Sequence, residues 1–112
     1  MPRTPQPHFL LGDIEQRVLL AIFRLGPDAS GVPIVGALRR HARRPVLLPS
    51  VYLALRRLEA KGLIRSRLGE PEARRGGRAR RYFALEAAGK AALRDAQRSV
   101  LRLWRGVSLD ES

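Results

Sequence analysis

Apolar residues recur along this chain with two different periods, and the switch between them outlines its architecture. Between residues 13 and 25, Ile14, Val18, Ala21, Ile22 and Leu25 form one stripe at helical spacing, while Leu19, Leu20 and Phe23 spread apolar surface to other sides. A helix this apolar around its circumference is buried on more than one face, so Leu19 and Phe23 are expected to meet a second subunit as well as their own core. Asp13 is placed to cap this helix, with Gln16 in capping-box position, and Gly26-Pro27-Asp28 stops it. Ser30 caps a second helix that tolerates Pro33 in its first turn and turns Val32, Val35 and Leu38 inward. Pro49 opens a third helix and Gly62 closes it. Val51, Leu55 and Leu58 should be its core face, while Ser50, Leu53, Arg56, Arg57 and Lys61 point elsewhere.

The period then changes to two. Leu63 to Leu68 and Arg80 to Leu85 alternate as strands, with Ile64, Ser66 and Leu68 on one side and Arg65 and Arg67 on the other. A Gly- and Arg-rich loop from residue 69 to 79 joins them. The last helix runs from about Ala87 to Val107, where Leu93, Ala96, Val100, Leu103 and Val107 make a short heptad-like seam that Leu101 and Trp104 widen. A seam at the end of so small a domain predicts pairing with another subunit; packing back onto its own domain is the alternative. The elements add up to a mainly α chain with a small β-hairpin. Its divisions are an arm at 1–11, a compact unit at 12–85, a dimerisation helix at 86–107 and a disordered tail at 108–112.

With 112 residues the chain is one domain. The arm has prolines at 2, 5 and 7, which forbid a helix, and too few apolar residues to pack or to form a signal-peptide core. The longest apolar run, Val18 to Phe23, is far short of a membrane span. There is no cysteine, which excludes disulfides, thiolate metal sites and thiol nucleophiles. A cytoplasmic protein with no membrane contact and no cofactor is expected.

Charge changes the picture more. Lys plus Arg is 22 against 10 acidic residues, a formal net charge of +12. Codon bias can choose Arg over Lys, and only Lys61 and Lys90 are lysines, but it does not explain an excess of basic over acidic residues. Such a charge repels itself in a compact monomer, so a polyanionic partner is implied. Arg74, Arg75, Arg78, Arg80 and Arg81 make the hairpin tip the densest positive charge in the chain. A helix sized for a major groove followed by a basic two-stranded ribbon points to double-stranded DNA. Arg39, Arg40, Arg43 and Arg44 crowd the end of the second helix, where they either complement its dipole or contact DNA.

Two other classes compete. A general basic RNA- or ribosome-associated protein would use the same charge, but aromatics able to stack on single-stranded bases are few and mostly at core positions. An enzyme finds no support: His8 lies in the arm, His41 lies among arginines, and no paired acids, metal spacing or phosphate-cradling loop is present.

The run Val51-Tyr52-Leu53-Ala54-Leu55-Arg56-Arg57-Leu58-Glu59-Ala60-Lys61-Gly62-Leu63-Ile64 resembles the helix signature of the PadR-like family of bacterial transcriptional regulators. Ser66 to Pro71, Gly76 to Leu85 and Ala88-Gly89 are similar to that family's wing and the start of its last helix. Leu19-Leu20-Ala21-Ile22 with Leu25-Gly26-Pro27 matches its first helix, and the resemblance spans residues 13 to about 93. Three positions depart from the pattern. Ser30 precedes Gly31 where the family often has an aromatic, Pro49-Ser50 stands where a Gly-Thr or Gly-Ala pair is common, and Glu86 replaces the usual capping Thr. The resemblance implies a dimeric winged helix-turn-helix repressor whose third helix enters the major groove, whose wing lies along the backbone and whose terminal helix dimerises. It also implies, for some short members, a small aromatic or cationic effector held near a tryptophan on that helix, to which Trp104 is comparable.

On this basis Arg56 and Arg57 are candidates for a guanine and a phosphate contact. Ser50 and Leu53 lie toward the leading end of the helix, near base edges or thymine methyls. Tyr52 is either core or a phosphate ligand through its hydroxyl. Lys61, Arg74, Arg75, Arg78 and Arg80 complete the candidate DNA surface, and the wing arginines are expected to act on the backbone rather than on bases.

Overall fold

The computed structural model describes residues 11–43, 45–71 and 79–110. Four helices and one hairpin appear in the order α1 (Asp13–Leu25), α2 (Gly31–Ala37), α3 (Leu48–Ala60), β1 (Ile64–Pro71), β2 (Ala79–Leu85) and α4 (Ala87–Trp104). A 3₁₀ turn at Gly26–Asp28 follows α1, and a π turn at Leu38–Ala42 prolongs α2. This is the helix–helix–helix–hairpin order of a winged helix-turn-helix with a further helix at its end.

α1 begins one residue earlier than a capping Asp13 would have it. Asp13 is the first helical residue, Gly12 is the extended residue before it, and the carboxylate of Glu15, not Gln16, accepts the Gly12 N–H at 2.8 Å. Val18, Leu19, Ala21 and Ile22 are buried on α1, whereas Leu20 and Phe23 are exposed. Leu19 is fully enclosed, so its expected place at a subunit interface is corrected: the apolar excess of α1 divides, with Leu19 in the core and Leu20 and Phe23 on the outside. The helix stops at Gly26, whose φ of 60° is cheap only for glycine, and Pro27 follows.

Ser30 is the extended residue ahead of α2, as expected, but its hydroxyl makes no capping bond and is buried without a partner. Pro33, the third residue of the helix, lacks one of the two amides such a cap binds. Val32 is exposed rather than inward; Ile34, Val35, Ala37 and Leu38 form the buried side. α3 buries Val51, Ala54, Leu55 and Leu58 at three- and four-residue steps and carries Pro49 in its first turn, where a missing N–H costs nothing.

The hairpin pairs Ile64 with Leu85, Ser66 with Phe83 and Leu68 with Arg81, then shifts register before Pro71 meets Ala79. Both strands thus run further toward the tip than their apolar alternation suggested. On the other edge of β2 the Phe83 N–H donates to the Ala29 carbonyl at 2.8 Å and Ser30 bridges Tyr82, so the entry to α2 serves as a short third strand. Ile64, Phe83 and Leu85 join the helical residues in one core. α4 leaves the hairpin after Glu86 and crosses it closely: a Cβ on Gly89 would collide with the Leu63 carbonyl. It ends at Trp104, three residues before the expected Val107. Among the described residues no helix is long and apolar enough to cross a membrane.

Candidate nucleic-acid interface

With Val51, Ala54, Leu55 and Leu58 turned inward, helical geometry assigns the outermost strip of α3 to Pro49, Leu53, Arg56 and Ala60. Ser50 and Arg57 flank that strip on one side, Tyr52 and Glu59 on the other. Ser50, Tyr52, Leu53, Arg56 and Arg57 are all solvent-exposed, so every α3 residue proposed from the pattern reaches the surface. Tyr52 is neither core nor free. Its ring is about half exposed and its hydroxyl lies over the backbone of Gly31 at the start of α2, where any Cβ would strike it.

Lys61 stands apart from this surface. Its ammonium donates to Glu15 at 2.8 Å, across 46 residues of sequence, and links the end of α3 to the start of α1. Burial alone would raise the pKa of Glu15. The Lys61 hydrogen bond, the Gly12 N–H and the charges of Lys61 and Arg57 outweigh that and hold it below the ordinary carboxylate value. The proximity of Arg57 to Glu15 also marks which flank of α3 faces α1.

A chain of polar contacts ties the other flank to the hairpin. Ser66 donates its hydroxyl to Glu59 at 2.8 Å and accepts from the guanidinium of Arg81 at 3.0 Å. The register places Ser66, Phe83, Leu68 and Arg81 on the hairpin face that looks toward α3. The opposite face carries Arg65, Arg67, Tyr82 and Ala84. There Arg67 lies 4.7 Å from the Tyr82 ring centroid, and Arg65 donates to the Leu85 carbonyl and to Glu86, both at 3.1 Å. Strand alternation puts Arg80 on that second face, half-buried, so of the adjacent pair it is Arg81, not the expected Arg80, that shares a face with the α3 contacts. The signal was present in the sequence: Arg81 stands two and four residues before Phe83 and Leu85, so strand alternation places it on their face and Arg80 on the other. Arg74, Arg75 and Arg78 lie outside the described residues.

Of the residues expected at a subunit interface, Phe23 of α1 and Leu93, Ala96 and Val100 of α4 line an open groove of about 740 Å³, together with Leu20 and Leu101. Beyond it Leu103 and Trp104 are exposed on the last turn of α4, and Val107 is exposed past its end. Gly89 is the one α4 residue that is fully buried. Trp104 does not line the groove.

Three helices, a connected hairpin and an exposed α3 with basic side chains are what a winged-helix DNA reader requires. The family model of the PadR-like transcriptional regulators matches residues 19–95. The chain belongs to the PadR-like family. It is a DNA-binding transcriptional regulator, and members of this family are not enzymes. Solved PadR-family regulators are similar in structure. One from Clostridium difficile R20291 has a TM-score of 0.68 at 25% identity, covering 84% of this chain and 96% of its own. Another, from Eggerthella lenta DSM 2243, has a TM-score of 0.66 at 27% identity, covering 80% and 75%. The Orc1 protein of Aeropyrum pernix, solved in complex with DNA, is similar over 83% of this PadR-like chain and 26% of its own, with a TM-score of 0.62 and 27% identity. No curated protein matches the chain.

Proposed function

We propose that this PadR-like regulator is a homodimeric repressor that lays α3 in the major groove of an operator and its hairpin along the neighbouring backbone. The observation that carries this is the Glu59–Ser66–Arg81 chain, which fastens the hairpin to the exposed flank of α3 so that both meet one duplex as a unit. Arg56, on the outermost strip, reads a base edge through its fork, and Leu53 beside it meets a thymine methyl. Ser50 and Arg57 on one flank and the Tyr52 hydroxyl on the other contact phosphates. Arg74, Arg75 and Arg78, which fall between the two strands in sequence, add backbone contacts, and Arg81 supports them from the strand. Two copies joined through the α1–α4 groove and the α4 seam present two such units to a two-fold operator. Bound over a promoter, the pair excludes polymerase.

The test is fluorescence anisotropy with a duplex from the chain's own upstream region and a scrambled duplex, at several salt concentrations. A preference of roughly 4 kcal/mol or more for its own region supports the proposal, at two chains per site. Equal and steeply salt-dependent binding to both would reduce the protein to a polycation on a polyanion. Preferential capture of structured RNA in competition would instead support an RNA-associated role.

A further inference from the structure

The basic cluster at the end of α2 has no part in the surface described above. We propose that it is a second polyanion-binding surface, which holds the phosphate backbone of duplex DNA flanking the segment read by α3. This rests on the reading of the chain as a DNA-binding regulator. The start of α2 lies beside Tyr52 and the hairpin. Its other end, at Ala42, is about 16–18 Å away along the helix axis.

Three observations carry the proposal. First, arginines converge there. Arg24, Arg39, Arg40 and Arg43 are all exposed, with His41 exposed among them, and no salt bridge among the described residues involves any of the five. A guanidinium nitrogen of Arg24, at the end of α1, lies 3.3 Å from each ring nitrogen of His41, so the ends of two helices bring their basic side chains into contact. Second, the backbone under this cluster is a π turn from Leu38 to Ala42, a rare widening of a helix that is frequent at functional sites. Third, Arg43 follows in a left-handed conformation with φ 53°, the one non-glycine residue with positive φ among those described. Glycine adopts that cap without strain, so an arginine there keeps a cation in the cluster against its own backbone preference.

The helix dipole favours positive charge at this end. It does not require an arginine at a position suited to glycine, nor the meeting of Arg24 with His41. A regular array of phosphates gives such a cluster a use, because each neutralised phosphate releases condensed counter-ions and several cations can engage one rigid backbone together.

The experiment compares the wild type with the R39A/R40A/R43G variant on two duplexes. One is the shortest that retains full sequence preference, and the other is the same core lengthened by about ten base pairs, roughly one helical turn, on each side. On the long duplex the variant's slope of log K against log salt should be shallower than wild type by about two to three, near 0.9 per lost phosphate contact. On the short duplex the two slopes should agree. Equal slopes for the two proteins on both duplexes, or the same loss on both, would overturn the proposal. The substitutions favour the local backbone, so melting temperatures report whether the fold is retained. If the wild type shows no preference for its own sequence over a scrambled one, the regulator reading fails. The same length comparison on scrambled duplexes then still decides whether this surface binds DNA.

Discussion

Gly31 and Tyr52 show how one position couples packing to recognition. A methyl on Gly31 would overlap the Tyr52 hydroxyl, which is the far end of a flexible side chain and can swing away. We therefore expect Gly31→Ala to change the melting temperature little while weakening DNA binding, because the displaced hydroxyl leaves the phosphate assigned to it. Gly89→Ala is the contrasting case: the clash is with the Leu63 carbonyl, which cannot swing, and a loss of about 1–3 kcal/mol in urea unfolding is expected. Glu15 supplies a prediction in pH. Its folded pKa lies below its ordinary value of 4.5, so its stabilising contribution is complete above that value and fades as pH falls through the folded one. Lys61→Met should cost about 1.5–3 kcal/mol at pH 7, the scale of a charged hydrogen bond, and the gap to wild type should shrink in acid once Glu15 is protonated. Urea melts of both proteins at pH 7 and pH 3 measure this, and a gap independent of pH would show that the Glu15 pair is not what Lys61 contributes. The pair was not legible in the sequence, where Lys61 reads as one more exposed cation. Its partner is 46 residues away and in reach only because α1 and α3 cross at their ends.

Whole elements were easier to read than single contacts, and α3 shows why. Its core face follows from spacing, its start from Pro49 and its stop from Gly62, all local signals that the structure reproduces to within a residue or two. The hairpin is different, because its register depends on a shift near the tip that no alternation pattern encodes. Arg81 still pairs in the regular register and is separated from Arg80 by alternation with Phe83 and Leu85, so expecting Arg80 overlooked a local signal. The Glu59–Ser66–Arg81 chain emerged only in three dimensions because it depends on how the hairpin packs against α3. Ser66→Ala tests this chain cleanly, since it removes both hydrogen bonds without changing charge. Both hydrogen bonds are exposed to solvent, though Ser66 itself is half-buried, so melting should move little. Operator affinity should fall by about 0.5–1.5 kcal/mol as the hairpin loses its fixed angle to α3. Unchanged affinity would mean that the wing needs no such brace.

At the scale of the whole molecule the unresolved force is the apolar surface of α4. Val100, Leu101, Leu103 and Trp104 are between 47% and 76% exposed, and Leu20 and Phe23 across the groove are 52% and 60% exposed. That much contiguous apolar surface is unfavourable in water, and a helix that buries little besides Gly89 gains little stability from its own domain. The sequence carried the seam plainly. It misplaced Leu19 because an all-round apolar helix does not reveal which side meets its own core. The proposed second copy over the groove would cover this exposed surface and match a two-fold operator. Melting temperature should then rise with protein concentration, as it does for any fold completed by association. Val100→Glu sets a charge in the middle of the groove wall. It should give a monomer in sedimentation, a lower and concentration-independent melting temperature, and operator binding weaker by about a hundredfold or more, because the two half-sites are no longer linked. Trp104, the only tryptophan, reports the same event without a label: its emission should shift to the red in the variant if the partner covers it in the wild type. A variant that stays dimeric would move the interface off this groove. A variant that becomes monomeric yet keeps full operator affinity would separate DNA recognition from the dimer altogether.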